Sequence, residues 1–392
     1  MEQSLLNKRR VFFYVQHLLG IGHLARASRI AKALSVDGFD VTMVTGGASV
    51  PGFPGDGLAT IALPSVTAGD KGFTGLSDAD GNPVTAAFQQ HRKNLLIEAL
   101  HASKPDVVII EAFPFGRRQM RFELLPLLDA IAAMEPRPLV ATSLRDILQE
   151  RVKPGRAEET VDLVKAHFDL VLVHGDPAFA RLEETFPLAR EIAEKVAYTG
   201  LVAPPPPAEA KEKFDIVVSA GGGAVGKDLI SAALGAATKL PKALRWCIVT
   251  GPNLPQGDFD DLTTAAPDGV SLFRFRQDFA GLLAGARLSV SQAGYNTVCD
   301  ILRAGCGSLL IPFTAGGETE QSTRAARLER LGLAGVLPEE GITSDRLARD
   351  IEAMLARPKP EIPPLDLNGA ARTATIIREE LQQREVRPSR SA

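Results

Sequence analysis

Four consecutive prolines, Pro204 to Pro207 in LVAPPPPAEAKEK (residues 201–213), constrain this 392-residue chain more than any other stretch. Proline has no N–H to give a ladder and its φ is fixed, so the run continues neither a helix nor a central strand. It reads as a linker over 202–213, separating a domain at 1–201 from a second at 214–365. Residues 366–392 then form a helix and a basic tail that can pack back on the first domain. The length agrees, because a single hydrophobic core stops growing at about 250–300 residues.

Both sides of the linker carry one pattern. VFFYV (11–15), DVTMV (40–44), DVVII (106–110), PLVAT (138–142) and DLVLV (169–173) precede it. FDIVVSA (214–220), RWCIVT (245–250), GVSLFRF (269–275), ARLSVSQ (286–292) and GSLLIPF (307–313) follow it, mostly spaced by segments of helical length. Apolar strands alternating with helices belong in parallel sheets covered on both faces. The fold class is therefore α/β, with two Rossmann-like domains expected to face across a cleft and to bind one ligand each at their strand ends. In LARASRIAKAL (24–34), Leu24, Ala27, Ala31 and Leu34 share one helical face, with Arg26, Arg29 and Lys32 expected to point elsewhere.

Charge and cysteine content narrow the function. A net charge of −3 gives no general attraction for nucleic acid. Cys247, Cys299 and Cys306 are odd in number and widely spaced, with no histidine cluster at ligand spacing. A disulfide scaffold or bound metal is not expected, and a reduced, cytoplasmic protein fits. The stretch RRQMRFELLPLLDAI (117–131) sets Arg117, Arg118 and Arg121 beside a run of leucines. It reads as an amphipathic segment for peripheral membrane contact or, preferably, as a helix packed on the sheet with its arginines exposed.

Four stretches can carry chemistry. In YVQHLLGIGHLAR (14–26), Gly22 permits a tight turn and His23 falls at the start of a helix, where the dipole favours a neutral imidazole able to act as a base. His17 either faces a ligand or bonds across the loop. SAGGGAVGKD (219–228) satisfies the first seven positions of a phosphate-binding loop, but Asp228 stands where a Mg²⁺-binding hydroxyl belongs, which argues against a kinase or triphosphatase. Its glycines still suit a diphosphate, with Lys227 either paired to that anion or solvated. In SQAGYNTVCDILRAG (291–305), Gly294, Asn296 and Thr297 open a helix whose N–H groups form a second anion seat, and Asp300 can accept from ribose hydroxyls. In TAGGETEQSTRAARLERLG (314–332), Glu320 and Gln321 carry acceptors and donors for a sugar, while the arginines at 324, 327 and 330 read as a solvated face. At the ends of first-domain strands, Glu111 and Arg145 either bind an acceptor or hold loops, and Asp176 can start its turn.

At GIGHLAR, SAGGGAVGKD and SQAGYNTVCDILRAG continued through IPFTAGGETEQ, the chain resembles the GT-B glycosyltransferases, particularly the MurG-like group with a glycosyltransferase family 28 C-terminal domain. The resemblance implies inverting transfer from a nucleotide-diphosphate sugar, a UDP-sugar by preference, to a small-molecule or lipid-linked acceptor, with no obligatory cofactor. It places His23 as the base or organiser of attack. Gly222, Gly223 and Gly294 would line the diphosphate, Asp300 the ribose, and Glu320 and Gln321 the donor sugar. Asp300 is shorter than the family's usual Glu, and LGIGH holds fewer glycines than the usual loop. Two other functions use the same donor half: a nucleotide-sugar epimerase or hydrolase, drawing on Glu111, His174 and Asp176, and a nucleotide-sugar sensor without turnover.

Overall fold

The apolar runs form interior strands: Val11 to Val15 and Val107 to Ile110 are all at most 2% exposed, and their one polar side-chain group, the Tyr14 hydroxyl, donates to Glu123 Oε1 at 2.5 Å. The computed structural model describes residues 8–18, 20–68, 75–149, 154–221, 227–251 and 254–386. Two units emerge, one of residues 1–202 with 368–392 and one of residues 203–367.

The first unit runs through β1 (Arg10–Val15), α1 (Gly22–Val36), β2 (Asp40–Thr45) and β3 (Ala59–Ala62). A short antiparallel pair follows, β4 (Thr67–Ala68) with β5 (Leu76–Ser77). The chain continues as α2 (Ala86–Ser103), β6 (Val107–Glu111), α3 (Arg121–Ala132), β7 (Leu139–Arg145), α4 (Arg156–His167), β8 (Leu170–His174) and β9 (Val196–Tyr198). The main sheet is parallel throughout, in the order β3-β2-β1-β6-β7-β8-β9. Strand order reverses between β1 and β6. The loops leaving those two strands therefore flank a topological switch point, where open α/β sheets bind ligands.

The second unit comprises β10 (Ile216–Ser219), α5 (Lys227–Ala237), β11 (Trp246–Val249), α6 (Gln256–Thr264), β12 (Val270–Phe273), α7 (Phe279–Gly285) and β13 (Leu288–Ser291). It continues through α8 (Tyr295–Ala304), β14 (Gly307–Leu310), α9 (Glu320–Arg330), β15 (Ala334–Val336) and α10 (Ser344–Leu355). Its parallel sheet has the order β12-β11-β10-β13-β14-β15, the dinucleotide-fold order, with the switch between β10 and β13. Trp246, Cys247, Cys299 and Cys306 lie in its interior, and burial pushes the Cys247 and Cys306 thiols up to about 12, as suits packing residues.

The chain then returns to the first unit as α11 (Gly369–Val386), packed along α1. Val202 bridges Asn368, and Gly369 N donates to Leu201 O at 3.0 Å. A Cβ on Gly369 would stand 2.4 Å from Gly200 O, so only glycine fits this crossing. Ion pairs of Arg378 with Asp37 and Arg384 with Asp169 fasten the rest of the helix.

In α3, Leu124, Leu127, Leu128 and Ile131 are in the core, while Arg118 and Arg121 both pair with Glu159. Arg117, expected on the exposed face, instead turns inward and gives its Nε–H to Gln16 O at 2.7 Å. No helix among the described residues is long and apolar enough to cross a membrane.

Candidate active site

Polar residues collect at the C-terminal ends of the first sheet. Glu111 ends β6, Ser143 lies opposite it in β7, and His174 ends β8. His23 is the second residue of α1, directly after the loop leaving β1. His23 Nδ1 is 3.0 Å from Glu111 Oε1, to which the Arg26 guanidinium also donates. Ser143 Oγ is 2.5 Å from Glu111 Oε2 and 2.9 Å from His174 Nε2, and Thr199 Oγ1 lies 2.9 Å from His174 Nδ1. Glu111, Ser143, His174 and Thr199 are at most 1% exposed, whereas the His23 side chain keeps 19%.

The charge state follows from these partners. Burial alone would raise the Glu111 carboxyl, but the Arg26 charge first, then the bonds from His23 and Ser143, hold it well below the usual carboxylate range. An ionised carboxylate only accepts, so His23 Nδ1 carries the proton and Nε2 carries the lone pair. By the same logic the Ser143 hydroxyl donates to Glu111, His174 Nε2–H donates to Ser143, and His174 Nδ1 is the acceptor facing Thr199. Burial, with the Arg117 charge second, pushes His23 down to about 3, against the opposing bond to Glu111. Burial and then Arg26 push His174 down to about 3. Both imidazoles are neutral at physiological pH, and only His23 presents an open nitrogen. The pattern is that of a general base fixed in one tautomer by a buried acid.

His17 supports the loop. Its ring packs over Gly47, where a Cβ would stand 2.4 Å away, and its Nε2 lies 2.9 Å from Ala48 O. Gly22 opens α1, and Arg145 ends β7 within electrostatic reach of Arg117. Asp176 accepts from Ala178 N at 2.8 Å, the bond of a turn-starting Asp.

In the second unit, the loop after β13 is held from both sides. Gln321 Oε1 accepts from Ala293 N at 3.0 Å and from Phe313 N at 3.2 Å, while Arg324 Nη1 donates to Ala293 O at 3.0 Å. The expectation of a solvated arginine face is corrected at Arg324, which is fully buried and pairs with Glu320 at 2.7 Å. Glu320 is turned inward by that pair and is 2% exposed. Gly294 caps α8 with extended backbone, no side chain caps the helix, and Tyr295, Asn296 and Thr297 fill its first turn, with Asp300 half-buried in its second turn. Lys227 opens α5 half-exposed and pairs with Asp258 at 2.5 Å. Gly222 and Gly223 lie outside the described residues. Among the described residues no group of three or more His, Cys, Asp or Glu is placed to hold a metal.

Arg26, Arg117 and Ser143 are not legible as site residues in the sequence, where His174 suggests itself only for an epimerase or hydrolase. Arg26 had been expected outside the buried helical face, yet it is 2% exposed because it neutralises Glu111. A signal was available: DVVIIE, LVATSLR and DLVLVH are apolar strands that each acquire a polar residue at the C-terminal end. Arg26, three residues after His23, lies on the same helical flank.

Two dinucleotide-type sheets in one chain, each with its polar residues at the switch point, define a GT-B-fold protein. Residues 216–374 match the glycosyltransferase family 28 C-terminal domain. It is 32% identical over 102 residues to the UDP-N-acetylglucosamine–N-acetylmuramyl-(pentapeptide) pyrophosphoryl-undecaprenol N-acetylglucosamine transferase of Hahella chejuensis, covering 26% of this chain and 28% of that one. With the Thermotoga neapolitana protein of the same name it shares 26% over 215 residues, or 54% and 58% of the two lengths. The matched segments thus span less than two thirds of these relatives. In fold, the chain is similar to the calicheamicin glycosyltransferase CalG4 (TM-score 0.63, 17% identity, covering 99% and 100% of the chains). It is also similar to MurG of Acinetobacter baumannii (TM-score 0.56, 15% identity, covering 97% and 100%).

Proposed function

We propose that the chain is an inverting glycosyltransferase that moves a sugar from a nucleotide-diphosphate donor, a UDP-sugar, to an acceptor hydroxyl. The second unit is the donor half. Its helix N-terminus at 294–297, free of a side-chain cap, and the glycine loop before α5 suit a diphosphate. The UDP-linked donor named for the MurG relatives supports the same reading.

The observation that carries the proposal is the His23–Glu111 pair, which leaves Nε2 of a neutral histidine as a base. In the step we envisage, Nε2 takes the acceptor hydroxyl proton while that oxygen bonds to the anomeric carbon. The bond from the anomeric carbon to the diphosphate breaks on the opposite face, and its electron pair leaves with the phosphate. Glu111 stabilises the imidazolium as it forms, and helix N–H groups meet the charge developing on the leaving group. Ser143 and His174 position Glu111.

The donor assignment is tested by native mass spectrometry of the full chain with competing UDP-, dTDP- and GDP-sugars. Selective retention of a UDP-sugar supports it, and equal indifference to all three contradicts it.

A further inference from the structure

The first unit holds a guanidinium that nothing described there neutralises. Arg117 makes no salt bridge among the described residues and donates one side-chain hydrogen bond, from Nε–H to Gln16 O. Both terminal NH₂ groups therefore have no described protein acceptor. Its backbone is left-handed at φ 55, a conformation that costs a non-glycine residue about 1 kcal/mol and is kept only where the surroundings demand it. The residue is half-buried rather than sealed.

An arginine stays charged even when burial lowers its proton affinity, so a desolvated guanidinium normally has an anion beside it. The carboxylate acting most strongly on Arg117 is Glu111, which is already engaged by Arg26, His23 and Ser143. Two further cations, Arg145 at the end of β7 and Arg26, push the other way, and burial with these like charges brings Arg117 down to about 10. The neighbouring carboxylate, Asp146, is turned to Ile147 N at 2.8 Å.

We propose that Arg117 is the seat for an anionic group of the acceptor, a carboxylate or a phosphate carried close to the hydroxyl that reacts. The inference rests on His23 being the base, because Arg117 lies in electrostatic reach of both His23 and His17. Every residue of the seat belongs to the first unit, whereas the family 28 match begins at residue 216. The anion would also serve catalysis. Around His23, Glu111 favours the imidazolium while Arg117 and Arg26 oppose it. Burial opposes the imidazolium most; of the two opposing charges, a substrate anion on Arg117 offsets the larger and makes His23 a stronger base when an acceptor is in place.

The test uses the full chain with isotope-labelled arginine and histidine, followed by NMR during titration with sodium phosphate, sodium acetate and UDP, each up to tens of millimolar. The Arg117 guanidinium signals are expected to shift saturably with phosphate or acetate and to stay put with UDP. Response to phosphate alone assigns a phosphorylated acceptor, and response to acetate alone a carboxylated one. The same anion should move the His23 ring signals, and Arg117→Gln should weaken that effect about tenfold or more, as loss of a charged hydrogen bond does. Arg117→Lys, which keeps the charge, should retain most of it. No response to either anion overturns the inference, and so does a response to UDP alone, which would place Arg117 in the donor site. Failure of the base reading looks different: His23→Ala would keep turnover while anion binding at Arg117 persisted.

Discussion

His174 offers a quantitative test of the buried network. Its pKa falls from 6.5 to about 3 because burial and then Arg26 disfavour the charged ring. Between those values the unfolded chain binds a proton that the folded chain does not, so stability rises with pH and is lost as pH falls below about 6.5. From about pH 7.5 to about pH 5.0 the loss is ~2 kcal/mol for such a histidine, and a native value one unit higher changes it by less than ~0.1 kcal/mol. His174→Gln keeps a donor toward Ser143 and cannot titrate. Its pH–stability curve should be flatter than that of the wild type by ~2 kcal/mol over this window, with His23 and His17, both also lowered by burial, supplying slope that remains. The two units need separate probes, since multidomain unfolding is not one transition. Hydrogen exchange of peptides covering β6 and β7 in graded urea reports the first unit, and fluorescence of Trp246, the sole tryptophan, reports the second. Parallel curves for the two proteins in the β6 and β7 peptides would refute the neutral-histidine argument. A His174-dependent change at Trp246 would place the effect in the wrong unit.

Three further substitutions probe other joints. Glu111→Gln leaves Arg26 buried beside a neutral amide and should destabilise the first unit by about 3–5 kcal/mol in urea unfolding, the cost of breaking a buried pair. Gln321→Ala removes the acceptor shared by Ala293 N and Phe313 N, and the Trp246 unfolding midpoint should report a loss of about 1–3 kcal/mol in the second unit. Gly369→Ala presses a Cβ into Gly200 O and Leu201 C, both backbone, and should lower first-unit stability by about 1–3 kcal/mol, read by exchange of α1 and α11 peptides.

The fold was legible because strand burial is written directly in composition. DVVII and DLVLV carry no polar residue beyond the first position, and such runs fit only a sheet covered on both faces. His23 was legible from its place after a glycine turn at a helix start. Its partner was harder to see, because Glu111 lies 88 residues away and meets His23 only once β1 and β6 pair side by side. Arginine was misread for a related reason. At 26, 117 and 324 it has the local spacing of a solvated face, yet each is turned inward, Arg26 and Arg324 by a distant or neighbouring carboxylate and Arg117 by the Gln16 carbonyl. Local periodicity records which face is apolar. It does not record where a long side chain finds its counter-charge.

The most direct test of the account is turnover by His23→Ala. With donor and acceptor chosen by screening the wild type, nucleoside diphosphate release and product configuration are followed together. The wild type should give a product of inverted anomeric configuration, and His23→Ala a fall in kcat of about 10²- to 10⁴-fold with the donor KM nearly unchanged, as loss of a general base gives. Full turnover by His23→Ala, or a product of retained configuration, would contradict it.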